Sequence, residues 1–395
     1  MRAGIDKRAM LLLSSGHLAT DFANGALPAL LPYFKDRFGL SYTLAALLML
    51  ASTASSSVIQ PLFGLWSDRH GALWLLPTGV LLAGAGIAAA ADASSYGLVF
   101  VLVVVSGLGV AAYHPEGSKF AAYVSGRRRA SGMSAFSIGG NIGYALGPIC
   151  AGVVVAAWGL RGGWLLVVPC VVVAAMLVWR HRYLASFAPD RELARRSAAG
   201  EDDTRALWLL LGVIAFRSCA WFGLLTFLPL WEVSLGHSKS YGNHLLALML
   251  VTGGLGTIAA GPAADRFGRR FVLLVSLVVT PVLIAAFIVF GGVAGAVCLA
   301  LVGPCVIGTF GVTAVMSQEY LPTRIGMASG LSLGMSIGLG GIAAVALGAV
   351  ADAVDLRTAM WVAAAAPVVA IALAVRLPSV SRSSVRLIDP SVNVT

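Results

Sequence analysis

The feature that most constrains this chain is the recurrence of long stretches with no charged side chain. Residues 38–67, 70–91, 93–115, 130–160, 240–264, 271–318 and 325–351 contain no Asp, Glu, Lys or Arg. A helix needs about 20 apolar residues to cross a hydrocarbon core of about 30 Å. The run 271–318 is long enough for two crossings, with a turn at Gly291 and Gly292. The pattern predicts twelve helices, near 9–32, 41–66, 73–91, 95–124, 130–157, 161–183, 206–233, 241–264, 271–290, 294–319, 324–350 and 357–376. Composition excludes the soluble alternative: 58% of residues are hydrophobic and 11% charged, against roughly 25% charged in soluble domains. A soluble globule of 395 residues would have too few charges to cover its surface, and disorder is excluded for the same reason.

The net charge of +10 does not point to nucleic acid, because no RNP, zinc or basic-helix signature accompanies it. The basic residues cluster between the apolar runs. With the N-terminus cytoplasmic, 20 Lys and Arg fall in inner segments and five (Lys35, Arg37, Arg161, Lys239 and Arg357) in outer ones, the asymmetry expected of short loops. Both termini are then cytoplasmic. The first apolar segment begins like a secretory leader. His17, Asp21 and Asn24 interrupt it, however, and it runs on to Pro32, so it reads as a retained helix. Cys150, Cys170, Cys219, Cys298 and Cys305 all lie in apolar runs without a C-x-x-C pair, and read as buried small hydrophobes rather than disulfides or metal ligands.

The chain repeats itself. Leu31-Pro32 matches Leu228-Pro229, and Gly64, Asp68, Arg69 and Gly71 match Gly261, Asp265, Arg266 and Gly268, each pair 197 apart. Ser131-Gly132 matches Ser329-Gly330 at 198. The polar stretch between the copies divides the chain into a six-helix bundle over 1–184, a cytoplasmic linker over 185–205, and a second six-helix bundle with a short tail over 206–395. The fold class read from this is all-α and polytopic, with two pseudo-symmetric bundles. Such halves are the sequence mark of a rocking secondary transporter. In the repeated element, Asp68 ends the second helix, where the helix dipole disfavours an acid. It calls for a nearby cation or helix N-terminus, a contact able to lock one arrangement of the halves. The alternative is an ordinary Asp-Arg-x-Gly turn.

Charged groups inside the apolar runs are the candidate working parts, since each costs about 2.5–3.5 kcal/mol at mid-bilayer unless paired or wet. His17, Asp21 and Asn24 share one face of the first helix. Glu116 and Lys119 are i, i+3 neighbours in the fourth and can neutralise one another; a structural pair fixing helix packing is the alternative reading. His114 would face elsewhere on a straight helix, but Pro115 can turn the local register. Asn141 and Tyr144 share a face of the fifth helix, and Arg217 and Trp221 one of the seventh. A carboxylate in a poorly hydrated cavity gains proton affinity, so Asp21 and Glu116 are the candidates for proton coupling, with His17 and His114 as relays. Arg217 keeps its charge and suits an anionic substrate group held through a fork of hydrogen bonds. Asn24, Asn141, Tyr144, Trp221 and Lys119 complete the candidate substrate residues. Gln318 and Glu319 read as interfacial.

The Gly64…Asp68-Arg69-His-Gly71 element and its second copy resemble the loop motif of the major facilitator superfamily. The first copy has Ala72 and Leu73 where the family has basic residues; the second keeps Arg269 and Arg270. Gly143-Tyr-Ala-Leu-Gly147-Pro148-Ile-Cys-Ala151-Gly152 resembles the antiporter motif of that family's drug-exporting branches, with Ser134 and Ala151 in place of two glycines. His17-Leu-Ala-Thr-Asp21, Tyr113-His114-Pro115-Glu116-Gly117, Ser137-Ile-Gly-Gly-Asn141-Ile-Gly-Tyr144 and Phe216-Arg217 resemble the fosmidomycin-resistance branch. The resemblance implies a cavity lined by helices 1, 4 and 7, a bacterial inner-membrane location, and export of a small anionic drug in exchange for protons. No cofactor is expected beyond the proton gradient. The partners expected are a small-molecule substrate, protons and the lipid bilayer, with no nucleic acid, and the chain is expected to be a monomer. A proton-coupled importer and a metabolite or siderophore exporter of the same fold are the alternatives within transport.

An intramembrane enzyme is the rival class. Gly330-Leu-Ser332-Leu-Gly334 and Gly334-Met-Ser336-Ile-Gly338 satisfy G-x-S-x-G, but that motif supplies a nucleophile only at a strand-to-helix turn. Here both copies fall in an apolar helix with glycines four apart, where helix packing is the simpler reading. H-E-x-x-H and a phosphate loop are both missing from the sequence.

Overall fold

The computed structural model describes residues 4–60, 62–63, 66, 72–125, 129–187, 202–321 and 325–378. Every long element among them is helical: α1 Lys7–Phe38, α2 Tyr42–Ser57, α3 Leu75–Asp92, α4 Tyr96–Val124, α5 Arg129–Trp158, α6 Val168–Trp179, α7 Thr204–Ser234, α8 Lys239–Phe267, α9 Arg269–Phe290, α10 Gly292–Tyr320, α11 Ile325–Ala353 and α12 Leu356–Ala374. Ten segments of the described residues, including Leu160–Trp179, are long and apolar enough to cross a membrane. α1 is long enough at 32 residues, but its polar face lowers its hydropathy.

The sixth segment departs from the expected single helix over 161–183. A 3₁₀ stretch, Leu160–Val167, leads into α6, and a short turn, His181–Ala185, follows it. Gly159 holds φ 65°, which breaks the α register after α5. Tighter winding then brings Gly163 so close to Ala91 that a methyl on it would lie 2.3 Å from the Ala91 Cβ.

Packing repeats between the halves. α1 lies on α5, and α2 and α3 on α4; correspondingly α7 lies on α11, and α8 and α9 on α10. Between halves, α2 packs on α11 and α5 on α8, the same relation with the roles exchanged. The helix starts are twinned as well. Asp6 caps Ala9 N with its carboxylate, while its own amide donates to Val124 O at the end of α4 (2.9 Å). Asp203 caps Ala206 N, and its amide donates to Tyr320 O at the end of α10 (2.7 Å). A side-chain oxygen on a first-turn amide satisfies one of the four orphan donors of a helix start.

Glycine sets the closest helix approach. On α5, a methyl at Gly143 would fall 2.0 Å from Leu18 O, and one at Gly147 would fall 2.6 Å from Phe22 O. Two glycines four apart thus face two α1 carbonyls four apart, the close-packing geometry of membrane helices.

The halves meet at the end away from the termini. There the Asp352 carboxylate, at the end of α11, accepts from Tyr42 N (2.7 Å) and Thr43 N (2.8 Å) at the start of α2. Lys239 pairs with Asp36 and lies 4.7 Å over the Tyr33 ring. Asn243 Nδ2 donates to Ala29 O.

Candidate functional site

α1 and α4 bring three titratable side chains together in the first half. Asp21 Oδ2 lies 3.2 Å from His17 Nε2, one turn away, and Asp21 Oδ1 lies 3.2 Å from His114 Nε2 on α4. Both imidazoles are oriented from behind. His17 Nδ1 faces Phe136 O and His114 Nδ1 faces Val110 O, each at 2.9 Å. A carbonyl only accepts, so each Nδ1 carries the hydrogen. Both Nε2 atoms are therefore aimed at one carboxylate with a lone pair when the rings are neutral. His17 stacks on Phe136 with centroids 4.2 Å apart, which fixes its ring plane. The cluster is not sealed: His114 is 22% and Asp21 16% exposed.

This hydrogen-bond arithmetic gives the cluster a proton capacity. With no added proton, two imidazole lone pairs face a carboxylate and repel it. One proton makes one bond, and a second makes both contacts charge-assisted. The expectation of an acid in a low-polarity setting thus becomes an acid between two bases, and His114, one residue before Pro115, reaches it.

Glu116 is separate from this cluster. It is buried and pairs with Lys119 Nζ at 2.6 Å, as the i, i+3 spacing predicts. Asn24 accepts from Ser52 Oγ at 3.2 Å, joining α1 to α2. Asn141 is half-buried on α5, with its Cβ 3.5 Å from where a methyl on Gly254 of α8 would stand. Tyr144 is half-buried, and its backbone carbonyl lies against Gly25.

Arg217 belongs to the second half. It is 2% exposed, and its Nη1 donates to Thr309 Oγ1 (3.1 Å) and Thr313 Oγ1 (3.3 Å) of α10. Both threonines donate their hydroxyl hydrogens to carbonyls of their own helix, leaving lone pairs for the guanidinium. The Phe310 ring lies 4.2 Å from Cζ, a cation–π contact, and Trp221 stands edge-on to Phe310 at 6.4 Å. All these partners are neutral. Nε and Nη2 are buried with no hydrogen-bond partner among the described residues. These two atoms share one edge of the guanidinium, the edge that takes an oxyanion through two parallel bonds. In this arrangement that edge is covered rather than open to a pocket. Thr309, Thr313 and Phe310 escaped the sequence reading; a Thr pair four apart in an apolar helix is their sole signal, and threonines of membrane helices commonly bond to their own backbone.

Of the loop motif, Gly64, Asp68, Arg69 and Gly71 lie outside the described residues. In the second copy, Asp265 and Arg266 are exposed at the end of α8. Gly268, at φ 96°, is the single residue joining α8 to α9. Glu319, expected to be merely interfacial, is ion-paired to Arg269. A cleft of about 450 Å³ at this joint is lined by Asp265, Arg269 and Glu319 and shares no residue with the His–Asp–His cluster or with Arg217. Gly143, Gly147 and Pro148 of the antiporter-like motif lie on α5, the two glycines against α1, whereas Gly152 faces Asn243 of α8. Of the cysteines, Cys170 is buried and the other four are half-buried, and all are free.

Comparison with known proteins places this geometry. The sequence profile of the Major Facilitator Superfamily matches residues 13–331 and again 210–390. The chain is 32% identical over 383 residues to the uncharacterized MFS-type transporter YfnC of Bacillus subtilis, covering 94% of this chain and 92% of that protein. It is 27% identical over 367 residues to the fosmidomycin resistance protein of Escherichia coli, covering 90% and 89%. Among solved structures, it superposes on a bacterial homolog of the human lysosomal transporter Spinster, in an inward-facing and occupied conformation, with a TM-score of 0.79 at 15% identity over 95% of this chain and 97% of that one. On a D-xylose–proton symporter the TM-score is 0.74 at 15% identity, over 94% and 97%. The repeated packing, the duplicated motif and these matches agree: the chain belongs to the major facilitator superfamily and is a multi-pass membrane transporter.

Proposed function

We propose that this transporter exports a small anionic drug or metabolite across the bacterial inner membrane in exchange for protons. The observation that carries the reading is the unpartnered Nε–Nη2 edge of Arg217. A buried cation with neutral neighbours is costly to keep, and a bidentate oxyanion is the ligand whose charge and shape relieve it. Fosmidomycin, a small phosphonate, has such a group, and a relative at 27% identity bears that resistance name. The His17–Asp21–His114 cluster supplies a proton site in the opposite half. Substrate and proton sites on different halves suit a cycle in which the halves rock about the contacts of α2 with α11 and α5 with α8. The basic-residue asymmetry supports cytoplasmic termini. The end joined by Asp352 and Lys239 is then the outward one.

The test is transport in proteoliposomes under an imposed pH gradient, with fosmidomycin and a cationic drug as alternative cargo. Gradient-driven movement of the anion that falls about 10–150-fold in Arg217→Lys follows from losing one charge-assisted bond worth about 1.5–3 kcal/mol. Equal loss of the cationic drug would overturn the anion assignment. Anion movement indifferent to the gradient would overturn the exchange.

A further inference from the structure

The His17–Asp21–His114 cluster has a second chemistry, independent of the substrate reading. We infer that it binds a borderline divalent transition ion of the zinc class. Three observations point there. First, the donor set is two imidazole nitrogens and one carboxylate, with ligand atoms all within 4.8 Å of one another. That set suits Zn²⁺, Co²⁺ or Ni²⁺ and not the oxygen-seeking Mg²⁺ or Ca²⁺. Second, both N···O separations are 3.2 Å. A charge-assisted N–H···O bond closes to about 2.7–2.9 Å. Two ligands held at about 2.0 Å from a tetrahedral ion stand about 3.3 Å apart. Each imidazole nitrogen faces a different oxygen of the Asp21 carboxylate, so an ion takes the carboxylate through both oxygens or after a small turn about its Cβ–Cγ bond. Third, both rings are already held as metal ligands are held: each Nδ1–H is fixed on a backbone carbonyl, which fixes the tautomer with Nε2 as the free donor.

Three ligands leave the fourth tetrahedral position for water or a passing anion, the arrangement of exchangeable rather than structural sites. The cluster's partial exposure leaves a way in for the ion. An ion on the Nε2 lone pairs excludes the protons that the same atoms would otherwise hold, so the two occupants are alternatives.

The test is binding, not transport, and so stands or falls apart from the proposed export. Purified full-length chain in detergent micelles is titrated with Zn²⁺ by calorimetry, and with Co²⁺ as a spectroscopic probe of coordination. One ion per chain is expected, together with a Co²⁺ spectrum of four-coordinate type and a rise in Tm on adding the ion. His17→Gln, His114→Gln and Asp21→Asn should each weaken binding at least about 100-fold, because even partners behind a ligand are worth about 10–100-fold. His237→Gln removes the histidine paired with Glu232 at the far end and should leave binding unchanged. Equal affinity in His17→Gln, or loss in His237→Gln, overturns the assignment. A variant that elutes as aggregate is replaced by His114→Asn, which is read in the same way, and Mg²⁺ binding as tight as Zn²⁺ also overturns the class of ion.

Discussion

Removing the Asp352 carboxylate should loosen the closed end of the transporter without unfolding either half. Ser41 already caps Leu44 N within α2 itself. Asp352 reaches from the other half to the two amides before it, Tyr42 N and Thr43 N, so together the two side chains satisfy three of the four orphan donors. A side-chain cap is worth about 0.5–2 kcal/mol, and a negative charge at a helix N-terminus adds about 0.3–1 kcal/mol. Asp352 is exposed, so solvent screening brings the sum to about 1–2 kcal/mol, roughly a 5–30-fold shift in the equilibrium between closed and open forms of this end. Asp352→Ala should show the whole shift. Asp352→Asn, which keeps one acceptor and loses the charge, should fall between it and the parent. Spin labels at Ser94→Cys and Leu235→Cys, in a background lacking the five native cysteines, report the separation across this end by pulsed electron resonance. The longer-distance population should grow in the order parent, Asn, Ala. An unchanged distribution in Asp352→Ala refutes the reasoning, and so does the same shift in Ser41→Ala, whose cap lies within a single helix.

Three further outcomes follow from other contacts. Gly143→Ala forces a methyl to within 2.0 Å of Leu18 O and should cost about 1–3 kcal/mol, whereas Gly152→Ala meets the Asn243 side chain at 3.2 Å and should melt near the parent in a thermal unfolding assay. Thr309→Val with Thr313→Val leaves the Arg217 Nη1 without acceptors, so the doubly substituted protein should lose about 1–3 kcal/mol of stability by the same assay, and added anionic substrate should restore part of it. Asp355 lies outside the spans, and the Thr358 backbone amide, bonded to it at 2.6 Å, holds its carboxyl below the ordinary carboxylate range. A depressed carboxyl stabilises above its unfolded pKa and loses that contribution as pH falls through the folded value. The Tm gap between parent and Asp355→Ala should therefore be open at neutral pH and close in strong acid; a gap that widens in acid contradicts the cap.

The helices were legible because charge is excluded from hydrocarbon, and that exclusion marks span ends whatever the partners are. The duplication was legible from the 197-residue offset, which the structure extends to the twin caps Asp6 and Asp203. The 3₁₀ entry to α6 was not, since Gly159, Gly162 and Gly163 in sequence resemble the packing glycines found everywhere else in the chain. Helical spacing alone joined His17 to Asp21 and Glu116 to Lys119. Bringing His114 to Asp21 required the placement of α4 against α1, a tertiary fact that the local order Tyr-His-Pro-Glu does not contain. Asp352 was invisible for a related reason: at the edge of an apolar run an acid reads as a loop boundary, and its partners are 310 residues distant in the chain.

The paired fastenings at Asp6 with Val124 and Asp203 with Tyr320 carry a mechanical consequence. Each bundle's leading helix is stitched to a helix of its own bundle at the point where the polypeptide enters it. Tension arriving from the preceding chain is thereby grounded in the local frame before it reaches the membrane interior. Each bundle thus carries its own anchor at its entry point, separate from the contacts that join the two halves.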